Sequence, residues 1–165
     1  MSYSELRTNE EITRIYGMYA DTVYRICALM LKNVEETQDA VQNVFIKYMK
    51  CDKPFENDEH IKAWLIVTAK NECRNLLKHW WHSKRSDIEN VSEPEFKSNN
   101  PSDGVLVEVL KLPDKFKLPL YLHYYEGYTT AEIAGLLKVN ESTLRTRLVT
   151  ARKQLKLLLE VGENA

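Results

Sequence analysis

Apolar residues recur every three or four positions along most of this chain, and no other property restricts its fold as strongly. One such stripe runs from Ile12 through Tyr19 to Met30, and a second runs from Val41 to Met49. This spacing places apolar side chains on one face of a helix, whereas a half-buried strand alternates at every second residue. Only 5 Gly and 5 Pro are present to interrupt the pattern, so the sequence predicts an all-α fold.

Two polar segments divide the periodic pattern. Residues 51–60 contain a proline and an Asn-Asp pair, which predicts a loop followed by a third helix at about 61–81. Residues 84–103 are polar and contain two prolines, a composition typical of a flexible linker. We therefore expect two small helical domains, at about 1–83 and 104–161.

The net charge of −1 conceals two basic stretches. Residues 60–85 contain six Lys and Arg against one acid, and residues 138–156 also contain six against one. The intervening residues 86–104 contain five acids against one lysine, which hides this basicity in the total. Because phosphate binding requires clustered cations, both basic stretches are candidate nucleic-acid surfaces.

Residues 129–148 have the spacing of a helix-turn-helix. Ala134 is small enough for two helices to approach closely, and either Asn140 or Ser142 can cap the second helix. The turn at Lys138 often needs a left-handed residue, at a cost of about 1 kcal/mol for a lysine. The alternative interpretation is a helical hairpin with a solvated basic face.

The second helix of this motif should bury an apolar stripe and expose its hydroxyl and guanidinium groups. Such groups suit phosphates and base edges in a major groove. The expected apolar stripe comprises Leu144, Leu148, Ala151, Leu155 and Leu158. The candidate DNA-binding residues are Thr143, Arg145, Thr146, Arg147, Thr150 and Lys153, with Arg152 on the same face.

The third helix offers a second candidate surface, which combines cations, amides and aromatic rings. Such a combination can hold phosphates and stack bases of an unpaired strand. The alternative is that Trp64 and Trp80 belong to the core and that the cations are solvated. The candidate residues are Lys70, Arg74 and Lys78 on one stripe and Asn71 and Asn75 on the next.

Three widely spaced cysteines predict core thiols in a reducing cytosol rather than a disulfide framework. No apolar run approaches the roughly 18 residues needed to cross a bilayer, so we expect a cytoplasmic protein without membrane insertion. A metal-dependent nuclease is a less favoured hypothesis. The loop acids Asp52, Asp58 and Glu59 lack a matched base or ligand set.

Three motifs, in this order, carry a family resemblance. Residues 39–45 read DAVQNVF, residues 61–65 read IKAWL and are followed by AKNECRN at 69–75, and residues 142–148 read STLRTRL before Ala-Arg at 151–152. Over nearly its whole length the chain resembles the extracytoplasmic-function sigma factors, the smallest members of the sigma-70 family.

This resemblance implies a transcription initiation factor without enzymatic activity, cofactor or small-molecule substrate. The implied partners are core RNA polymerase (through its beta-prime clamp helices and beta flap), promoter DNA and an anti-sigma factor. Asp39, Gln42 and Asn43 correspond to the polymerase-binding helix. Asn43 stands where these factors often have Glu, which leaves Asp39 and Gln42 as the stronger candidates.

The resemblance also implies that residues 53–60 capture a flipped promoter base, with Lys53, Phe55 and Asn57 as DNA-binding candidates. The helix that follows corresponds to the minus-ten-reading helix, and the helix-turn-helix corresponds to the minus-thirty-five-reading domain. Thr150 occupies a position where an arginine is frequent. A helix-turn-helix regulator that binds duplex DNA without polymerase is the remaining alternative.

Overall fold

The computed structural model describes residues 7–83 and 103–163, in which the regular elements are all helices. This confirms the all-α fold predicted from the apolar spacing. The chain divides into two compact units, Met1–Pro94 and Glu95–Ala165. Most of the predicted linker, residues 84–102, lies outside the described residues. Within the described part, none of the helices combines the length and apolarity required to cross a membrane.

In the described part of the first unit, residues 7–83, three helices all pack against one another: α1 (Asn9–Leu31), α2 (Val34–Lys50) and α3 (Asp58–Ser83). Side-chain caps stabilise the N-termini of α1 and α2. The Thr8 hydroxyl accepts a hydrogen bond from the Glu11 amide, and the Asn33 side chain accepts one from the Glu36 amide. Acidic residues occupy the first turn of each helix, where the helix dipole favours negative charge.

The core of the first unit follows the predicted stripes closely. The stripe predicted for α2 runs from Val41 to Met49, but only its central part is buried, and Met49 is 42% exposed. Tyr16 is also exposed, at 52%, although its ring meets Phe45 edge-on at 4.9 Å. Buried in this core are Ile15, Tyr19, Val23, Ile26, Cys27, Val44, Phe45, Tyr48, Ile61, Leu65, Ile66, Ala69 and Cys73.

The thiols of Cys27 and Cys73 are fully buried, as predicted, whereas Cys51 is only half-buried. A hydrogen bond with Cys27 and burial both raise the pKa of the Cys73 thiol. Cys73 therefore stays protonated at physiological pH and contributes to the α1–α3 interface as a small apolar group.

The loop predicted at 51–60 is shorter than expected, because α3 begins at Asp58 rather than at residue 61. The Asn57 side chain accepts a hydrogen bond of 2.8 Å from the His60 amide, which caps the helix. Asp58 and Glu59 then occupy the first turn. The Asn-Asp pair, which was predicted to lie within a loop, therefore marks the start of α3.

Residues 103–163 of the second unit form four helices: α4 (Asp103–Val109), α5 (Asp114–Tyr124), α6 (Thr130–Leu137) and α7 (Glu141–Glu163). The long helix α7 packs against the other three. Its predicted apolar stripe is buried at the N-terminal end, while Leu155 and Leu158 are half-buried. The core comprises Leu106, Val109, Leu112, Phe116, Leu118, Leu120, Tyr121, Leu122, Ile133, Ala134, Leu144, Leu148 and Ala151.

Helices α6 and α7 form the predicted helix-turn-helix. Thr129 and Glu132 form a capping box at the start of α6, with each side chain bonded to the other residue's backbone amide. Lys138 ends α6 at φ 54 and ψ 47, which confirms the left-handed turn. Asn140, one of the two predicted caps, accepts a hydrogen bond from the Ser142 amide at 3.1 Å.

Replacement of Lys138 by Gly should stabilise the second unit by about 0.5–1 kcal/mol, because glycine adopts a positive φ without the steric cost of a Cβ atom. Chemical denaturation of the full chain measures this change. Lys138→Ala is the control, since it removes the long side chain but keeps the Cβ atom. An equal gain in both variants would show that the lysine side chain, and not the backbone conformation, causes the cost.

Candidate nucleic-acid and partner interfaces

The exposed face of α2 presents two of its three predicted partner-binding residues to solvent. Asp39 and Gln42 are both exposed and lie one turn apart. Asn43, in contrast, is half-buried, and its amide nitrogen donates a hydrogen bond of 3.0 Å to Glu72 on α3. Asn43 is thus engaged within the unit, whereas Asp39 and Gln42 remain accessible.

Glu72 was not predicted as a functional residue, yet it joins α2 to α3. The residue is 8% exposed and accepts hydrogen bonds from Asn43 and from the Lys47 ammonium group, which lies 2.6 Å away. A buried carboxylate needs such donors because desolvation of an unpaired charge is costly. The available sequence signal was its isolation as the single acid of the basic stretch 60–85.

The loop before α3, residues 51–57, places its predicted DNA-binding residues in two different environments. Lys53 and Asn57 are exposed. Phe55 is half-buried, and its ring contacts Trp64 at 5.8 Å and His60 at 5.1 Å between centroids. Phe55 therefore anchors the loop against the first unit, while Lys53 and Asn57 face solvent.

Arg7 also contacts this loop, and no sequence pattern indicated it. Its guanidinium group donates to the Lys53 carbonyl and lies over the rings of Tyr48 and Phe55. Arg7 precedes the first helix by two residues and stands outside every apolar stripe. Only tertiary contacts identify its position.

The predicted cation stripe of α3 is exposed only in part. Arg74 and Lys78 are exposed, as are the amides Asn71 and Asn75. Lys70 is 6% exposed, so the prediction that it shares this surface is wrong in this structure. Both other helices of the unit pack against α3. Packing at the middle of α3 therefore buries Lys70, a position that the four-residue spacing assigned to solvent.

The aromatic residues of α3 separate into core and surface. Trp64 is half-buried and contacts Tyr48 at a centroid distance of 6.2 Å, which supports the core interpretation for this tryptophan. Trp80 is also half-buried, and it meets Trp81 edge-on. Trp81 is 62% exposed, so a ring beyond the cation stripe is available for stacking.

The first turns of α7 present four of the predicted upstream-element residues. Thr143, Arg145 and Thr146 are exposed, and Arg147 is partly exposed. The Arg145 guanidinium forms an ion pair of 2.7 Å with Glu141, one turn earlier on the same helix. The Thr146 hydroxyl donates to the Ser142 carbonyl at 3.1 Å, which orients its side chain along the helix.

The remaining candidates lie later on α7. Lys153 is exposed, and Thr150 is half-buried. The Arg152 guanidinium donates to the Leu148 carbonyl of its own helix. These residues lie farther from the first turns of the helix, so they suit phosphate contacts better than base-edge contacts.

The acids considered for the nuclease hypothesis do not form a shared site. The Asp58 carboxylate lies 2.8 Å from the Arg14 guanidinium and raises the pKa of that arginine. Among residues 7–83 and 103–163, no group of three or more His, Cys, Asp and Glu side chains has an arrangement suited to a metal ion.

Two family models match this chain in consecutive segments. The model "Sigma-70 region 2" matches residues 15–82, and the model "Sigma-70, region 4" matches residues 105–155. The first match spans most of α1 and nearly all of α3, and the second spans the helix-turn-helix. Together the two segments cover more than half of the chain.

Curated relatives are similar over nearly the whole chain. The extracytoplasmic-function RNA polymerase sigma factor SigW of Bacillus subtilis is 29% identical over 161 residues, covering 86% of this chain and 85% of the relative. SigM of the same organism is 25% identical, covering 93% and 98%. The sigma factor RpoE of Bartonella quintana, solved with the anti-sigma factor NepR, has a TM-score of 0.74 at 18% identity, covering 92% and 98%.

Replacement of Asn43 by Glu should destabilise the first unit by about 1–3 kcal/mol, because it removes a donor to Glu72 and places a second carboxylate beside it. Urea denaturation of the full chain measures the loss. Gln42→Glu is the matched control, since it adds the same charge at a neighbouring exposed position and should change stability by less than about 0.5 kcal/mol.

The double variant Asn43→Glu with Glu72→Gln should recover most of that loss, because the new amide can donate to the new carboxylate. Equal destabilisation by Asn43→Glu and Gln42→Glu would contradict the structural role assigned to the Asn43–Glu72 contact.

Proposed function

The chain belongs to the sigma-70 family, in the extracytoplasmic-function group, and on this premise we propose that it binds core RNA polymerase and directs it to a particular set of promoters. The supporting observation is that region 2 and region 4 matches occur in order within one chain, at residues 15–82 and 105–155. We assign polymerase binding, minus-ten recognition and melting to residues 1–83. Minus-thirty-five recognition is assigned to residues 104–161, beyond a linker at 84–103.

Asp39 and Gln42 are the proposed contacts with the beta-prime clamp helices. Both are exposed on the free face of α2, and a carboxylate there complements a basic partner. Asn43 stabilises the position of this face of α2 through its hydrogen bond to Glu72 on α3. The second unit is proposed to contact the beta flap.

We further propose that residues 53–60, of which 53–57 belong to the loop before α3, hold one flipped base of the melted minus-ten element. Lys53 and Asn57 supply exposed polar groups, while Phe55 keeps the loop packed on the domain. Arg74 and Lys78, with Asn71 and Asn75, bind the separated strand along α3. Extraction of a base costs a few kcal/mol, so a shaped pocket must compensate.

An anti-sigma factor is the proposed regulator of this chain. The sigma factor from Bartonella quintana was solved in complex with one, and that likeness extends over 92% of the present chain. Such an inhibitor would bind the surfaces that the polymerase needs. In this proposal the chain acts in the cytoplasm, carries out no catalysis itself and needs no cofactor.

Run-off transcription on a genomic fragment library tests the proposed function directly. Purified core polymerase with this chain should transcribe a reproducible subset of fragments that core polymerase alone does not. Asp39→Arg combined with Gln42→Ala should abolish both this transcription and pull-down of core polymerase, because it reverses the charge of the proposed contact face.

Asp21→Arg, which reverses an exposed charge on α1, is the matched control and should retain both activities, with unchanged helical content in all variants. Specific nanomolar binding of the free chain to duplex DNA at physiological salt would favour a stand-alone regulator instead.

The two DNA surfaces should have separable effects on transcription. Arg145→Ala or Arg147→Ala should cost about 1–3 kcal/mol and relax discrimination at particular upstream positions, because these side chains project from the first turns of α7. Lys153→Ala should weaken all promoters alike. Arg74→Ala and Lys78→Ala should chiefly impair open-complex formation.

Transcription and permanganate footprinting on promoters with single-base changes measure these effects for each variant. Glu160→Ala is a control on α7, since this exposed residue lies near the C-terminal end of the helix and is not among the candidate DNA-binding residues. The assignment is wrong if Arg74→Ala alters only upstream preference or if Arg145→Ala alters only melting.

A further inference from the structure

Arg7 connects three parts of the first unit through one side chain. Its Nε donates to the Tyr48 carbonyl at 3.1 Å, in the last turn of α2, and its Nη2 donates to the Lys53 carbonyl at 2.9 Å. Its Nη1 donates to Glu11 on α1 at 3.2 Å. The fork of the guanidinium group thus bonds the end of α2 and the loop 51–57 at once.

Two aromatic rings hold the guanidinium plane between these acceptors. The Arg7 Cζ atom lies 4.5 Å from the centroid of the Tyr48 ring and 4.8 Å from that of the Phe55 ring. The arginine side chain is only 11% exposed. Cation–π contacts strengthen when they are shielded from water, so this partly buried arrangement is stronger than a surface contact.

The acceptor Glu11 is itself fixed in place. The Tyr48 hydroxyl donates to the same carboxylate oxygen at 3.2 Å, and burial raises the pKa of Tyr48 to about 12. The tyrosine therefore remains a donor throughout the physiological range. Arg7, Glu11 and Tyr48 thus form a connected hydrogen-bond network.

The far end of the loop has a second anchor. The Glu56 amide donates to the His60 ring at 3.2 Å, and the Asn57 side chain caps α3. Between the two anchors, the side chains of Lys53 and Glu56 are exposed. The backbone of the loop 51–57 is thus held at both ends by hydrogen bonds, while the side chains of Lys53 and Glu56 are exposed to solvent.

We propose that Arg7 is a positioning residue that sets the shape of the loop 51–57 and thereby the base preference of that loop. This inference rests on the proposed function, in which the loop holds a flipped base. Arg7 is too buried to read DNA itself, and it lies outside the segment 15–82 that the region 2 model matches. A loop held in one shape loses less conformational entropy when the matching base enters, and it adapts less easily to the other bases, so the correct base gains affinity relative to them.

The test uses holoenzyme and a promoter fragment recovered by run-off selection, whose unpaired non-template segment is randomised. Bound DNA is sequenced, and the ratio of best to worst base is measured at each position. Arg7→Ala should lower this ratio at one position by about five- to tenfold, the equivalent of about 1–1.4 kcal/mol. The other positions and the upstream preference should be unchanged.

Arg7→Lys should lose most of the same discrimination, because an ammonium group lacks the planar fork that donates to both carbonyls while it contacts the two rings. It keeps the charge opposite Glu11, so it carries the test if Arg7→Ala fails to fold. Arg14→Ala is the matched control. Arg14 also joins α1 to the start of α3, but its ion pair is with Asp58 in the first helical turn and not with a residue of the loop 51–57.

Amide exchange in residues 51–57 of the full chain should rise in Arg7→Ala and not in Arg14→Ala. The proposal is overturned if Arg7→Lys or a folded Arg7→Ala keeps the base ratio, if Arg14→Ala lowers it equally, or if all positions fall in parallel. Wild-type holoenzyme that enriches no base at any position would overturn the proposed function as well. If wild-type holoenzyme does enrich a base but Arg7→Ala keeps the base ratio, or Arg14→Ala lowers it equally, only the role of Arg7 is overturned.

Discussion

Mutual burial of the apolar faces of α1, α2 and α3 is the constraint on which the first unit depends. A unit of this size has a single small core, so every helix must commit one face to it. The remaining faces carry the polar residues that a partner can reach. Asp39 and Gln42 are accessible because the opposite face of α2, with Val44 and Tyr48, is fully buried.

Much of the fold and part of the candidate site could be predicted from sequence, because both follow from helical periodicity. The apolar stripes located α1, α2 and α7, and the spacing of residues 129–148 located the helix-turn-helix together with its strained Lys138. The exposed positions of Arg145 and Thr146 followed from the same periodicity. Local pattern is sufficient wherever one face of a helix is buried and the other is solvated.

Periodicity failed where a residue's environment comes from a distant segment. Lys70 falls on the predicted cation stripe, but packing buries it. Asn57 is of a residue type common in loops, and only its hydrogen bond from the His60 amide identifies it as a helix cap. Arg7 was missed because two of its acceptors, Tyr48 and Lys53, lie 41 and 46 positions away in the chain. The donors to Glu72 lie 25 and 29 positions away, and helical periodicity does not indicate contacts at such separation.

The ion pair between Arg145 and Glu141 means that the first turns of α7 carry their own counter-charge. In the proposed DNA complex, Arg145 leaves Glu141 for the DNA, and the freed carboxylate then faces a negatively charged duplex. This carboxylate lowers the net positive charge of the proposed interface, so affinity should depend less steeply on salt concentration. It also penalises attachment to arbitrary DNA, where no base edge compensates for the lost ion pair. A residue that repels DNA would in this way contribute to the selectivity of the proposed interface.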